Sequence, residues 1–209
     1  MFFNRSNKEL IEGLKDRKVL SSGEIEKAFL YIDRKEFILP EYSNFTYNDQ
    51  AIPIGYGQTI SQPYTVAFIL KLLQAQKGEK ILDIGSGSGW TTALLSQIVG
   101  KGGFVYGVEI IPELVEFGQK NISKFQIKNA NIQLTDKKQL GLPKEAPFDK
   151  ILVSASAEEF PERLLSQIKV GGVIVIPILN SIFRITKIST TEIKKEEFPG
   201  FVFVPLELD

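Results

Sequence analysis

One stretch, Lys80 to Glu109, limits what this chain can become. The apolar run Ile81-Leu82-Asp83-Ile84 leads straight into Gly85-Ser86-Gly87-Ser88-Gly89. Glycine removes the Cβ where a ligand or a neighbouring backbone must come close, and it takes positive φ at little cost. Trp90 to Val99 follows with Ala93, Leu94 and Ile98 on one side, a pattern that predicts a helix. A second apolar run, Phe104 to Val108, closes on Glu109. Strand, glycine turn, helix and strand make a β-α-β unit with a nucleotide-sized gap at its carboxyl edge.

Two acids narrow the ligand for that gap. Glu109 ends the second strand about 20 residues past the last glycine, where a carboxylate can accept both hydroxyls of a ribose. Asp83 stands just before the glycine turn. A carboxylate there repels a pyrophosphate but can pair, directly or through water, with an ammonium. S-adenosyl-L-methionine carries an ammonium, a ribose and no phosphate. The plainer alternative is a tight turn with no ligand. A nicotinamide dehydrogenase is opposed by the position of Asp83 and by the lack of an obvious acid–base residue.

Composition removes further classes. The chain has 209 residues, which suits one main domain with an appendage. Lysine plus arginine equals aspartate plus glutamate at 25 each, so no net charge draws it to nucleic acid or to an anionic membrane. No apolar run reaches membrane-spanning length. The opening Met1-Phe2-Phe3-Asn4-Arg5 has no secretory core, so a cytoplasmic address is expected. With neither cysteine nor histidine, thiolate chemistry, disulfides and imidazole general bases are unavailable, and no metal site is expected. A nucleophile already ionised at neutral pH would suit such a chain.

Along the rest of the sequence, Leu10, Ile11 and Leu14 predict a helix over Asn7 to Arg17. Ser21 and Glu24 form a capping-box pattern opening a second helix with Ile25, Ala28, Phe29 and Ile32. Residues 1–33 would make a helical cap. Residues 34–62 are read as a long irregular lid or substrate loop, and residues 63–209 as the core of the same domain. In that core, Gln62-Pro63 opens a helix that Lys77-Gly78 ends, and Pro112 opens another. Strands are predicted at Asn131–Thr135, Phe148–Val153 and Val173–Ile176, with a helix at Pro161–Lys169. Phe183–Ile188 and Phe201–Leu206 are expected to pair antiparallel at the edge. Alternating strands and helices imply a mainly parallel sheet, with ligands outside its carboxyl edge. Asp83, Glu109 and the Asp136 region fall there.

Gly55-Tyr56-Gly57-Gln58-Thr59-Ile60-Ser61-Gln62-Pro63 resembles the most specific signature of the protein-L-isoaspartate O-methyltransferases. The likeness continues through Arg34, Phe37 and Pro40, Tyr47-Asn48-Asp49, Ile52-Pro53-Ile54 and the glycine turn. It extends through Val108-Glu109, Pro112-Glu113-Leu114, Ala146-Pro147-Phe148-Asp149, Gly171-Gly172, Ile176-Pro177 and Val204-Pro205-Leu206. It covers nearly the whole chain.

The resemblance implies an α/β fold: a doubly wound, mostly parallel seven-stranded sheet of the class I S-adenosylmethionine-dependent methyltransferase, Rossmann-like type, with an N-terminal helical cap. It implies methyl transfer from S-adenosyl-L-methionine to the free α-carboxylate of L-isoaspartyl residues in damaged proteins. The ester then cyclises to a succinimide that can reopen to aspartate. A carboxylate with a pKa of about 4 needs no base near pH 7, which fits a chain without histidine.

By the same resemblance Ser61 is the catalytic hydroxyl, with Gln58, Thr59 and Ile60 lining the substrate cleft. Ser61 is also a candidate N-cap for the following helix. Asp83, Gly85, Ser86, Gly87, Gly89 and Glu109 are the expected cofactor residues, and Trp90 is read as packing. Asp136 stands where the family usually has Gly-Asp-Gly, but here the turn is Thr135-Asp136-Lys137. It is either an adenine contact or a surface acid. Val202 replaces an arginine usual in the family's closing strand, and the turn Ser154-Ala155-Ser156-Ala157-Glu158-Glu159 lacks a usual histidine. These departures leave two alternatives: a divergent methyltransferase for another carboxylate, or a cofactor-binding module without turnover.

Overall fold

The computed structural model describes residues 6–21 and 23–207. Helix α1 (Asn7–Asp16) opens with a full capping box. The Ser6 hydroxyl accepts from the Glu9 N–H at 3.2 Å, and the Glu9 carboxylate accepts from the Ser6 N–H at 2.6 Å. The capping pattern expected at Ser21 is not used. Gly23, with φ 141°, interrupts the backbone there, so α2 (Glu24–Tyr31) starts late and without a side-chain cap.

Residues 34–62 are more ordered than their composition suggests. Two 3₁₀ turns, Arg34–Phe37 and Pro40–Phe45, precede an antiparallel hairpin of β1 (Ile52–Gly55) and β2 (Gln58–Ile60). The tip Gly55-Tyr56-Gly57 has three successive positive φ values, which explains the flanking glycines. Ile52, Ile54 and Ile60 bury the hairpin's inner face against the core.

Helix α3 (Pro63–Leu73) starts at the expected proline. It ends at a left-handed Gln74 rather than at Lys77-Gly78. Arg184 reaches in from the sheet and donates to the Leu72 carbonyl at 2.9 Å, so a tertiary contact helps to close this end.

The main sheet has seven strands in the order β5-β4-β3-β6-β7-β8-β9. Its elements are β3 (Lys80–Ile84), α4 (Trp90–Val99), β4 (Phe104–Glu109), α5 (Pro112–Ser123), β5 (Ala130–Leu134), β6 (Phe148–Val153), β7 (Ile168–Ile178), β8 (Ser181–Lys187) and β9 (Ile193–Pro199). Strands β3 to β7 pair in parallel, and β8 and β9 close the edge antiparallel.

Alternation along the central strands feeds two cores. Ile81, Leu152, Val173 and Val175 face the one built with α1 to α5. Leu82, Ile84, Ile151, Val153, Ile174 and Ile176 face the other. That second face is covered by 3₁₀ turns and loops, with Leu164 fully buried in it.

Two expected elements differ. The helix read at Pro161–Lys169 shrinks to a 3₁₀ turn, Glu162–Ser166. The Gln167 carbonyl accepts from Phe148 and Ile168 pairs with it, so β-pairing competes for the residues that would have extended the helix. Beyond β7, the strand that pairs antiparallel with β8 is β9, not Phe201–Leu206. β9 is a charged edge strand, IKKEEFP, whose few apolar residues carry little period-two signal. Residues 201–206 instead form an extended strap that bridges to Ser156 at Pro205. Among the described residues no helix is long and apolar enough to cross a membrane.

Candidate active site

The sheet order reverses about β3, whose neighbours β4 and β6 lead to opposite sides, so a crevice opens above their carboxyl ends. Backbone bonds shape its floor. The N–H groups of Gly85 and Ser86 both donate to the Val108 carbonyl, at 2.9 and 3.1 Å, which draws the glycine turn over β4. Ser154 N–H donates to the Ile84 carbonyl at 2.9 Å on the other side.

One cavity occupies this place. Its lining includes Gly85 to Ser88, Glu109, Ser154, the hairpin residues Gln58 to Ser61, the turn Thr135 to Lys137, and the strap Val204 to Glu207. Ser61 and Glu109, far apart in sequence, therefore face the same space. Lys137 and Glu207 pair, joining the turn to the strap.

Glu109 is 6% exposed and is held by backbone donors. Its Oε2 accepts from Gly87 N–H at 3.0 Å, and its Oε1 from Ile110 and Ile111 N–H at 2.7 and 3.2 Å. These bonds fix a carboxylate at the cavity wall.

Asp83 behaves differently. It is fully buried and not part of the cavity wall. Its Oδ2 accepts from the Thr91 and Thr92 hydroxyls at 2.8 and 2.6 Å, while its Oδ1 has no partner. Burial pushes its pKa up to about 6. The two threonines oppose that shift, and Glu109 adds to it. Ser154 Oγ is also buried without a partner, and it lines the cavity.

The glycines divide by role. A Cβ on Gly87 would lie 3.3 Å from Ile54 Cδ1, so its bareness lets the hairpin close over the turn. Gly89 faces away from the cavity: a Cβ there would meet Ile132 at 2.9 Å and the Gly118 carbonyl at 3.1 Å. It serves the packing of α4 against α5. Asp136 is exposed on the cavity rim. Its Oδ1 accepts from Lys138 N–H at 2.9 Å, an Asx turn that holds the bend where glycines are missing.

Ser61 is not the helix cap. Gln62 takes that position without a side-chain bond, and Asp49 supplies the cap from outside, accepting from Tyr64 N–H at 2.8 Å. Asp49 Oδ2 also accepts from Gln62 Nε2 at 3.1 Å and pairs with Arg17. The family resemblance passes through Asp49 without giving it a role. Sequence reasoning gives Thr91 and Thr92 no role at the site, although two hydroxyls in the first turn of an apolar helix are a legible signal. Trp90 packs edge-on to Phe29 at 5.5 Å, as expected, and also lines the cavity.

The residues present fit a ligand with a ribose and an ammonium. A backbone-held carboxylate meets the space, the glycine turn leaves the floor bare, and an unpaired carboxylate oxygen lies beneath.

Comparisons with known proteins show what the chain as a whole is similar to. The family model described as protein-L-isoaspartate(D-aspartate) O-methyltransferase matches residues 4–208. A protein-L-isoaspartate O-methyltransferase of Thermococcus onnurineus is 38% identical over 94% of this chain and 90% of its own length. Its counterpart in Methanopyrus kandleri is 38% identical over 98% and 92%. A crystal structure from Plasmodium falciparum, described as an enzyme of this kind in complex with S-adenosyl-L-homocysteine, superposes with a TM-score of 0.88 at 30% identity, covering 98% of this chain and 100% of that one. The chain belongs to the protein-L-isoaspartate(D-aspartate) O-methyltransferase family.

Proposed function

We propose that this chain methylates the free α-carboxylate of L-isoaspartyl residues in damaged proteins, with S-adenosyl-L-methionine as donor. The observation that carries the reading is the single cavity shared by Ser61 on the hairpin and Glu109 on the sheet edge. When bound, the donor supplies a methyl group activated by a sulfonium. Glu109, Gly85, Ser86 and Gly87 would hold it, with Asp136 at the rim and Asp83 acting from beneath. Gly89 supports the turn through packing.

The chain's own task is then positional. Ser61 donates its hydroxyl hydrogen to the substrate carboxylate and holds one oxygen toward the glycine turn. Gln58, Thr59 and Ile60 present a strand along which an extended peptide can lie, with Ile60 anchored in the core. The hairpin and the strap exclude water from opposite sides. No proton has to be removed, because the acceptor is already anionic at neutral pH. The rate arises from alignment and desolvation.

The test uses a peptide pair differing only in aspartyl or isoaspartyl linkage. Methyl transfer is expected to the isoaspartyl peptide alone. Ser61→Ala should lower kcat by about a hundredfold, the order of loss expected when a reacting oxygen is no longer held in line, with affinity for S-adenosylhomocysteine unchanged. Equal transfer to both peptides points to another carboxylate, and a fully active Ser61→Ala enzyme removes Ser61 from the reaction.

A further inference from the structure

Arg34 is 0% exposed, yet it makes no ion pair among the described residues. Its Nη1 donates to the carbonyls of Thr46 at 2.7 Å and Asn48 at 3.2 Å. Its Nη2 donates to the carbonyls of Gln50 at 2.9 Å and Ser61 at 3.0 Å. The guanidinium lies 5.3 Å from the ring centre of Trp90, the residue that follows the glycine turn and lines the cavity. Its Nε is buried without a partner. Burial lowers the guanidinium to about 9, and Asp49 partly offsets the effect.

A charge kept this way costs stability. Carbonyl dipoles only partly replace water, and an apolar side chain of similar size could fill the space without that penalty. What an apolar residue cannot do is grip four carbonyls at once. A planar guanidinium can, and lysine's single ammonium cannot reproduce the fork. The four carbonyls come from the lid segment 46–50 and from Ser61 itself. One cation thus ties the lid, the peptide after Ser61 and the first residue of α4 into one unit.

We propose that Arg34 is a positioning residue for methyl transfer: it fixes the Ser61 peptide, and with it the Ser61 hydroxyl, against the glycine turn. This rests on the reading of Ser61 as the hydroxyl that holds the substrate carboxylate. Arg34 touches neither reactant and acts through Ser61.

A double-mutant cycle on the full chain tests it, with Arg34→Lys, Ser61→Ala and the double variant assayed on the isoaspartyl peptide below their unfolding temperatures. Arg34→Lys should lower kcat by about tenfold or more, since small misplacements near the reacting atoms have effects of this order. KM for the peptide should change less, and the S-adenosylhomocysteine Kd should stay within about twofold. In the Ser61→Ala background, Arg34→Lys should lower kcat hardly at all, because the hydroxyl it positions is gone. Equal losses in both backgrounds would overturn the proposal. So would a cofactor Kd that weakens in step with kcat, which would place the effect at Trp90. A Ser61→Ala variant as active as the parent would instead sink the assignment of Ser61. Should Arg34→Lys not fold, Arg34→Gln replaces it in the cycle; if neither folds, Arg34 is structural and the proposal fails.

Discussion

Asp83 is a side chain that costs the fold stability at a place where the proposed function gives it a use. Its carboxylate keeps two hydroxyl bonds but leaves Oδ1 unpaired in the interior. The native pKa of about 6 lies above the ordinary 3.8, so folding takes up a proton in the window between those values. Native stability therefore falls as pH rises through that window, and above it the buried charge costs on the order of 3 kcal/mol. Asparagine keeps the acceptor for both threonines and can turn its amide toward Ser154. Asp83→Asn should accordingly raise stability by about 1–3 kcal/mol at pH 7, with the gain shrinking as pH is lowered from 6 to 4. The same change should weaken S-adenosylhomocysteine binding by calorimetry. Urea titrations across that pH range supply the check, and a pH-independent gain would show that the charge is not its source. The sequence marks Asp83 by its place before the glycines. Its burial beneath the cavity depends on Thr91, Thr92 and Ser154, which only the fold brings around it.

At the scale of elements, the hairpin and α3 form one working part. The glycine-flanked tip makes the hairpin legible in retrospect, but its strands are only four and three residues long. Such short runs carry too little alternation to stand out from an aromatic loop. The start of α3 was legible from Pro63, whereas its cap was not, because Asp49 arrives from fourteen residues upstream of the proline. Asp49→Ala should cost about 1–2 kcal/mol, the usual loss for a helix cap. The loss should be larger than for Ser61→Ala, since Ser61 caps nothing. Thermal melts of the two variants make the comparison, and equal melting temperatures would remove Asp49 from the capping role. Strand β9 is not legible in the sequence for a related reason: an edge strand guarded by lysine and glutamate gains its pairing from β8 rather than from its own pattern.

At the scale of the whole molecule, the site is closed by parts remote in sequence: the hairpin before the core and the strap after it. Phe201 stacks on Phe68 at 5.0 Å and anchors the strap, while Val204 to Glu207 reach the cavity. Ending the chain at Phe203 should leave the sheet folded, with β9 still paired along β8, and should weaken S-adenosylhomocysteine binding by about tenfold or more, as burial of the ligand is lost. Circular dichroism and calorimetry on the truncated chain separate the two effects; retained affinity would show that the strap is no wall. The sequence alone determined the β-α-β unit, the direction of the sheet and the acids at its carboxyl edge, because each is written in a short local pattern of glycines, apolar runs and strand-end charges. Tertiary structure alone decided which face Gly89 serves, which residue caps α3, what pairs with β8, and that one buried guanidinium gathers the lid around Ser61. Those outcomes depend on packing and hydrogen-bond partners that arrive from distant parts of the chain, and no local pattern records which partner arrives.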